Sequence, residues 1–228
     1  MSTVKTALII GASRGLGLGL VKTLLADGWN VTATVRKPQH AEALQALGKV
    51  RIEALEMNDQ QSVAALNQRL SGEVFDLLFV NAGVKGPEDQ TPAKASLADV
   101  GQLFLTNAVA PIALAQRFVG QLRKDSGVLA FMSSVLGSVT IPDAPDLALY
   151  KASKAALNSM TNSFVCQLND PRLTVLSLHP GWVKTDMGGE GAALDVATST
   201  RGLIDQVNAY AGKGGHYFLN YKGETIAW

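Results

Sequence analysis

Ala7-Leu8-Ile9-Ile10-Gly11-Ala12-Ser13-Arg14-Gly15-Leu16-Gly17 is the stretch that decides the fold. Its four leading apolar residues, bounded by a glycine, read as a short buried strand. Residues 16–26 then repeat apolar side chains at helical spacing, and Gly28 ends the run. A strand that passes through glycines into a helix brings bare backbone and free helix N–H groups to one point. That point suits a pyrophosphate, which needs close approach, donors and partial positive charge. Gly11, Ser13, Arg14, Gly15, Leu16 and Gly17 are therefore the first candidate cofactor residues. The spacing is G-x-x-x-G-x-G rather than G-x-G-x-x-G. A glycine-rich turn without a ligand is the alternative reading.

The same alternation continues outward from this loop. Residues 31–35, 50–55, 75–80, 128–132, 173–178 and 216–219 read as further strands. Helical patterns fall at 38–47, at 59–70 with Asp59 as cap, and at 96–123 with a kink at Pro111. Two more fall at 148–168 and 198–207. Strands apolar throughout, each followed by a helix, predict a parallel sheet covered on both faces. The expected fold is thus a single α/β, Rossmann-type, doubly wound domain over residues 1–228. Gly188-Gly189-Glu190-Gly191-Ala192-Ala193 reads as its most flexible segment, and 186–200 as a substrate lid.

Bulk composition fits this. The 228 residues suit one domain, and 47% apolar with 17% charged residues supports a sizeable core. A net charge of +1 argues against nucleic acid or an acidic membrane surface as the main partner. Cys166 is the single cysteine, which excludes an intrachain disulfide and suits a reducing compartment. Its position predicts a buried, inert thiol. The first apolar run is too short to span a membrane and lacks the layout of a signal peptide, so a cytoplasmic location is expected. His40, His179 and His216 lack metal-ligand spacing, and no metal is expected.

The dinucleotide type is read from the end of the second strand. A carboxylate there would bind a ribose 2′-hydroxyl. The chain has Thr34-Val35-Arg36-Lys37 instead. Arg36 and Arg14 could clamp a 2′-phosphate by paired hydrogen bonds, which favours NADP over NAD.

Tyr150-Lys151-Ala152-Ser153-Lys154 sets Tyr150 and Lys154 four apart, on one face of a helix. A free phenol has a pKa of about 10. A nearby ammonium would lower it, letting the tyrosine serve as general acid in reduction and base in oxidation. Ser133 and Ser134 close the fifth predicted strand, where ligands of parallel sheets bind. A serine there could polarise a substrate carbonyl. Ser138 could also reach the pocket.

Taken together these motifs resemble the classical short-chain dehydrogenases/reductases over nearly the whole chain. By that resemblance Asn81, Ala82 and Gly83 line the adenosine ribose, and Asn107 holds a proton-relay water. Ser134, Tyr150 and Lys154 complete a catalytic set with Asn107. Lys154 also holds the nicotinamide ribose, as Tyr150 borders it. Pro180, Gly181, Val183 and Thr185 hold the nicotinamide carboxamide, and Met57 borders the adenine. The chain departs from the usual pattern in places. Ile10 stands for a threonine and Glu56-Met57 for an Asp-Val pair, and the gap from Ser134 to Tyr150 is longer. The HPGWVKTDMGG stretch at 179–189 and the C-terminal FLNYKGE resemble the Sniffer and C-factor-like carbonyl reductases.

The expected activity is NADPH-linked reduction of a small-molecule carbonyl, or the reverse alcohol oxidation. The resemblance also implies a homodimer or homotetramer. An NADPH-binding sensor with little catalysis and an NAD-linked alcohol dehydrogenase are the alternatives. Trp182 and Met187 either line the pocket or pack the lid.

Overall fold

Runs of Ile, Val, Leu and Phe form seven strands: β1 (Thr6–Ile10), β2 (Asn30–Val35), β3 (Val50–Ala54), β4 (Leu77–Val80), β5 (Val128–Met132), β6 (Thr174–His179) and β7 (Gly215–Asn220). The structure, a computed structural model, describes residues 4–228; Met1, Ser2 and Thr3, which open the stretch read as lacking a leader, lie outside the described residues. The strands make one parallel sheet in the order β3-β2-β1-β4-β5-β6-β7. Its direction of winding reverses between β1 and β4, which opens a crevice at their carboxyl ends. β4 and β5 are buried along their whole length, whereas the edge strand β3 is only half covered. This is the doubly wound fold expected from the sequence.

Seven α-helices cover the faces: α1 (Gly15–Ala26), α2 (Glu42–Gln45), α3 (Gln60–Arg69), α4 (Leu97–Phe104), α5 (Ala110–Phe118), α6 (Ala148–Leu168) and α7 (Val196–Tyr210). Alternation along β1 divides the core in two. Ala7 and Ile9 pack with Leu20 and Leu24 of α1 and with Leu203, Ile204 and Val207 of α7. Leu8 and Ile10 pack on the other side with Ile112, Leu114 and Phe118 of α5 and with Leu157 and Phe164 of α6.

Several expectations need correction. The helix read over 38–47 shrinks to a 3₁₀ turn at Pro38–His40 and the single turn of α2. Ala41 and Leu44 are buried in the core and Leu47 packs against it, a spacing of three that suits 3₁₀ turns better than an α-helix. The kink expected at Pro111 is instead a π-helical segment, Leu105–Val109, between α4 and α5. Proline lacks an N–H, so Asn107 loses its α-helical partner four residues on. α7 starts earlier than read because Asp195 caps it, accepting from the Thr198 N–H at 2.7 Å. Asp59 caps α3 as expected. Cys166 is exposed, not buried. The inward stripe of α6 runs through Leu157, Thr161 and Phe164. Cys166 lies two residues beyond Phe164, about 200° round the helix.

The run Leu97–Gln121 has the length and hydropathy of a membrane span. Here it is a core element, with Leu103, Ala108, Ile112, Leu114, Ala115 and Phe118 buried against the sheet and α6.

Candidate active site

The glycine loop joins β1 to α1 and is braced from two sides. Gly11 takes a φ of 83°, which favours glycine. Its N–H donates to Thr34 Oγ1 at 3.0 Å, and Asn81 Nδ2 donates to its carbonyl at 2.7 Å. A Cβ on Gly17 would lie 2.0 Å from Gly11 O, so the loop has no room for a side chain there. Arg14 occupies the N-cap of α1 with extended backbone and makes no side-chain cap. The first N–H groups of α1 therefore have no partner within the helix. Bare glycine backbone below uncapped donors is a cradle that fits a dinucleotide pyrophosphate.

The two arginines read as a clamp do not meet. Arg14 Nη1 pairs with Asp186 Oδ2 at 2.5 Å, both side chains largely exposed. Arg36 is exposed just past β2. Met57 is buried beyond β3, while the Glu56 carboxylate folds back to accept the Asn58 N–H.

Asn158 sets the two adjacent serines in different surroundings. Ser133 Oγ donates to Asn158 Oδ1 at 2.7 Å, and Asn158 Nδ2 donates to Gly137 O at 3.3 Å. The Ser133 hydroxyl is thus a buried brace between the end of β5 and α6. Ser134 Oγ instead accepts from the Leu136 N–H and lies near enough to the Tyr150 phenol to favour its ionised form. Ser138 pairs with Thr140, 3.0 Å apart.

Tyr150 and Lys154 lie one turn apart on α6 and face the same space, with Lys154 Nζ 5.8 Å from the Tyr150 ring centre. Nζ donates to Met132 O, the last carbonyl of β5, at 2.8 Å. The expectation that the ammonium lowers the phenol is not met. Burial pushes Tyr150 up to about 12, against the smaller lowering effect of the Ser134 hydrogen bond. Burial pushes Lys154 down to about 8. Desolvation disfavours both charged forms, and it outweighs their mutual help at this distance.

Asn107 sits in the π-helical segment, fully buried. Its Oδ1 accepts from Val84 N and its Nδ2 donates to Val84 O, both at 2.8 Å, and Nδ2 also donates to Ser153 Oγ at 3.0 Å. Its side chain is wholly engaged, and its main-chain carbonyl has no helical donor at Pro111. A Cβ on Gly83 would lie 3.3 Å from Asn107 Oδ1 and 3.5 Å from Lys154 Nζ, so Gly83 keeps this corner open.

A glycine cradle at the switch point of a parallel sheet, beside a Ser-Tyr-Lys cluster, prompts comparison with known proteins. The sequence profile described as short chain dehydrogenase matches residues 5–193. The chain belongs to the short-chain dehydrogenase family.

This short-chain dehydrogenase is similar to a carbonyl reductase from Pseudomonas aeruginosa PAO1 in complex with NADP, with a TM-score of 0.93 and 38% identity over 99% of this chain and 100% of that one. It is similar to the carbonyl reductase Sniffer of D. melanogaster, with a TM-score of 0.85 and 31% identity over 99% and 100% of the two chains. It is also 31% identical to the C-signal of Myxococcus xanthus, over 67% of this chain and 92% of that one. The expected likeness to Sniffer and the C-factor group is borne out.

In this short-chain dehydrogenase the segment read as a lid is better tied than its glycines suggest. Val183 and Leu194 form a bridge, with Lys184 N donating to Leu194 O at 2.8 Å. Trp182 Nε1 donates to Gly188 O at 2.8 Å, and the ring lies 61% exposed beside Gly191. Trp182 thus packs the outside of the lid. Thr185 lies over the glycine loop, its Cγ2 3.5 Å from where a Gly15 Cβ would be. Gly181 packs against Tyr221, and Pro180 O accepts from Ser199 Oγ at 2.7 Å. The sequence reading missed Thr34, Ser153 and Asn158, which hold the glycine loop, Tyr150 and Ser133. They are small polar residues inside apolar elements, and burial of that kind was the available signal.

Proposed function

We propose that this short-chain dehydrogenase reduces small-molecule carbonyls with NADPH. The observation that carries the reading is the Ser134–Tyr150–Lys154 cluster, anchored through Met132 O at the carboxyl end of β5. The presence of NADP in the Pseudomonas aeruginosa carbonyl reductase supports the choice of cofactor.

Gly11, Ser13, Arg14, Gly15, Leu16 and Gly17 would hold the pyrophosphate, and Arg36, with Arg14 once released from Asp186, the 2′-phosphate. Met57 would border the adenine, and Asn81, Ala82 and Gly83 the ribose. Pro180, Gly181, Val183 and Thr185 would hold the nicotinamide, and Lys154 its ribose. When bound, NADPH supplies the hydride. Ser134 donates to the carbonyl oxygen and polarises it. Tyr150 gives its proton to that oxygen as charge develops there. A phenol held neutral by burial keeps that proton in the resting enzyme, which suits reduction over oxidation. The proton is restored through Lys154 and a water on the Asn107 carbonyl. Lys154, with its proton affinity brought down to about 8, can both give and take a proton near neutrality.

The reading carries with it a cytoplasmic homodimer or homotetramer. Leu97, Leu105 and Val109, exposed along one helix run, support a surface for a second copy. The test is loss of NADPH absorbance with a panel of aldehydes, ketones and quinones, and with NADH in parallel. NADPH-linked turnover is expected. NADPH binding without oxidation of the cofactor across the panel would refute the reading in favour of a sensor, and preference for NADH would favour an alcohol dehydrogenase.

A further inference from the structure

The first turn of α6 has no cap of its own. Its N-cap, Leu147, makes no side-chain hydrogen bond, and no acidic residue lies in that turn. Such a turn leaves N–H groups without helical partners. The one on Tyr150 is satisfied from elsewhere, donating to Gln90 Oε1 at 2.8 Å. Gln90 lies sixty residues earlier, in the loop after β4, and is only 4% exposed. The other end of its amide holds that loop closed. Nε2 donates to Lys85 O at 3.0 Å and to Pro87 O at 2.9 Å. The chain wraps tightly round it: Gly86 has a φ of 90°, and a Cβ there would lie 3.3 Å from Nε2.

The main-chain carbonyl of Tyr150 is held by a second route from the same loop. Ser153 Oγ donates to Tyr150 O at 2.7 Å and accepts from Asn107 Nδ2, while Asn107 pairs with both main-chain groups of Val84. The N–H and the C=O of Tyr150 are therefore tied, by separate side chains, to the two ends of residues 84–90.

We propose that Gln90 is a positioning residue, clamping the Tyr150 main chain to the loop at 84–90 so that the phenol is held on the substrate carbonyl. The proposal rests on the reading of Tyr150 as proton donor. A buried amide with every polar atom satisfied is a stiff link, and truncating it takes the partner from three partly buried groups at once. Displacement of a reacting group by about an ångström costs on the order of a hundredfold in rate.

The experiment compares wild type with Gln90→Leu and Gln90→Glu. Glutamate keeps an oxygen toward the Tyr150 N–H, at a helix N-terminus that favours it, and loses the donor to the loop. Three readouts are taken: exchange of the Tyr150 amide proton by NMR without ligand, NADPH affinity by fluorescence, and kcat and KM for a carbonyl that is turned over. In Gln90→Leu, the Tyr150 amide is expected to exchange about tenfold faster, the effect of one lost hydrogen bond. Later α6 amides and NADPH affinity should hold. Its kcat should fall about ten- to a hundredfold with KM little changed. Gln90→Glu should restore the protection but not kcat, because a carboxylate oxygen then faces the Lys85 and Pro87 carbonyls where an N–H had donated.

An unchanged Tyr150 amide or unchanged kcat in Gln90→Leu overturns the proposal, as does a glutamate with wild-type kcat. Should Gln90→Leu unfold, Gln90→Glu decides alone: a charged acceptor must move the Tyr150 amide proton downfield, and an unmoved resonance overturns the proposal. Lack of turnover by wild type would defeat the reductase reading, whereas the amide measurements still decide whether Gln90 holds Tyr150.

Discussion

Lys154 Nζ donates to the main-chain oxygen of Met132 at 2.8 Å, which fixes the ammonium to the end of the strand that also delivers Ser134. Removing it breaks both a proposed catalytic link and a structural one. Lys154→Met should abolish carbonyl reduction and leave the Met132 carbonyl buried without a donor, an effect of about 1–3 kcal/mol. It should also change the pH dependence of stability. The folded lysine loses its proton from about 8 and the unfolded one only near 10.5. The unfolded state then binds more protons, so this group makes stability rise with pH above about 8. Above about 10, Tyr150 acts in the opposite sense, because the folded state keeps the phenol proton longer. Urea midpoints measured between about pH 8 and 10 should rise in wild type and stay flat in Lys154→Met.

Tyr150→Phe removes the phenol oxygen and leaves the glycine cradle untouched. NADPH affinity should stay close to wild type, and turnover should fall by about 10²–10⁴-fold, the usual worth of a positioned general acid. Fluorescence titration and steady-state kinetics on one preparation check both halves. Wild-type turnover in the variant would remove Tyr150 from the mechanism.

The adjacent serines should separate cleanly. Ser134→Ala should lower kcat by roughly 10²-fold or more, as loss of a donor to a developing oxyanion does. Ser133→Ala should act on stability, because Asn158 Oδ1 loses its donor in the interior at a cost of about 1–3 kcal/mol. Thermal unfolding set beside kcat for the two variants distinguishes them, and the reverse pattern would reassign the roles.

Arg14 is held by Asp186. Asp186→Asn should free it and tighten NADPH binding a few-fold, in line with the ~0.2–1 kcal/mol of an exposed ion pair. Arg36→Asp should weaken NADPH and shift preference toward NADH by repelling a 2′-phosphate. Paired titrations with the two cofactors test both substitutions.

Acid should destabilise the fold through two histidines. Burial pushes His179 and His216 down to about 4, against an ordinary 6.5. The unfolded state binds more protons between those values, so stability is lost as pH falls through that window. His216 stacks on Trp228, with ring centres 4.6 Å apart. His216→Phe keeps an aromatic contact there and should shrink the loss between neutral and acid pH. An unchanged acid slope in urea titrations would exclude His216 as a contributor.

The sequence by itself determined the seven strands, the glycine turn into α1, the Asp59 cap, and the shared face of Tyr150 and Lys154. All of these depend on chain period and on residues a few positions apart. Helix phase was less legible: Cys166 falls outside the inward stripe of α6, and the core contacts of the run at 38–47 recur every three residues, at Ala41, Leu44 and Leu47. Only the tertiary structure decided which serine faces Tyr150, which carboxylate holds Arg14, and that Gln90 reaches the Tyr150 N–H. It also decided that burial raises the phenol and lowers the ammonium. Desolvation and hydrogen-bond partners come from segments brought together across the sheet, and no local pattern records which segments those are.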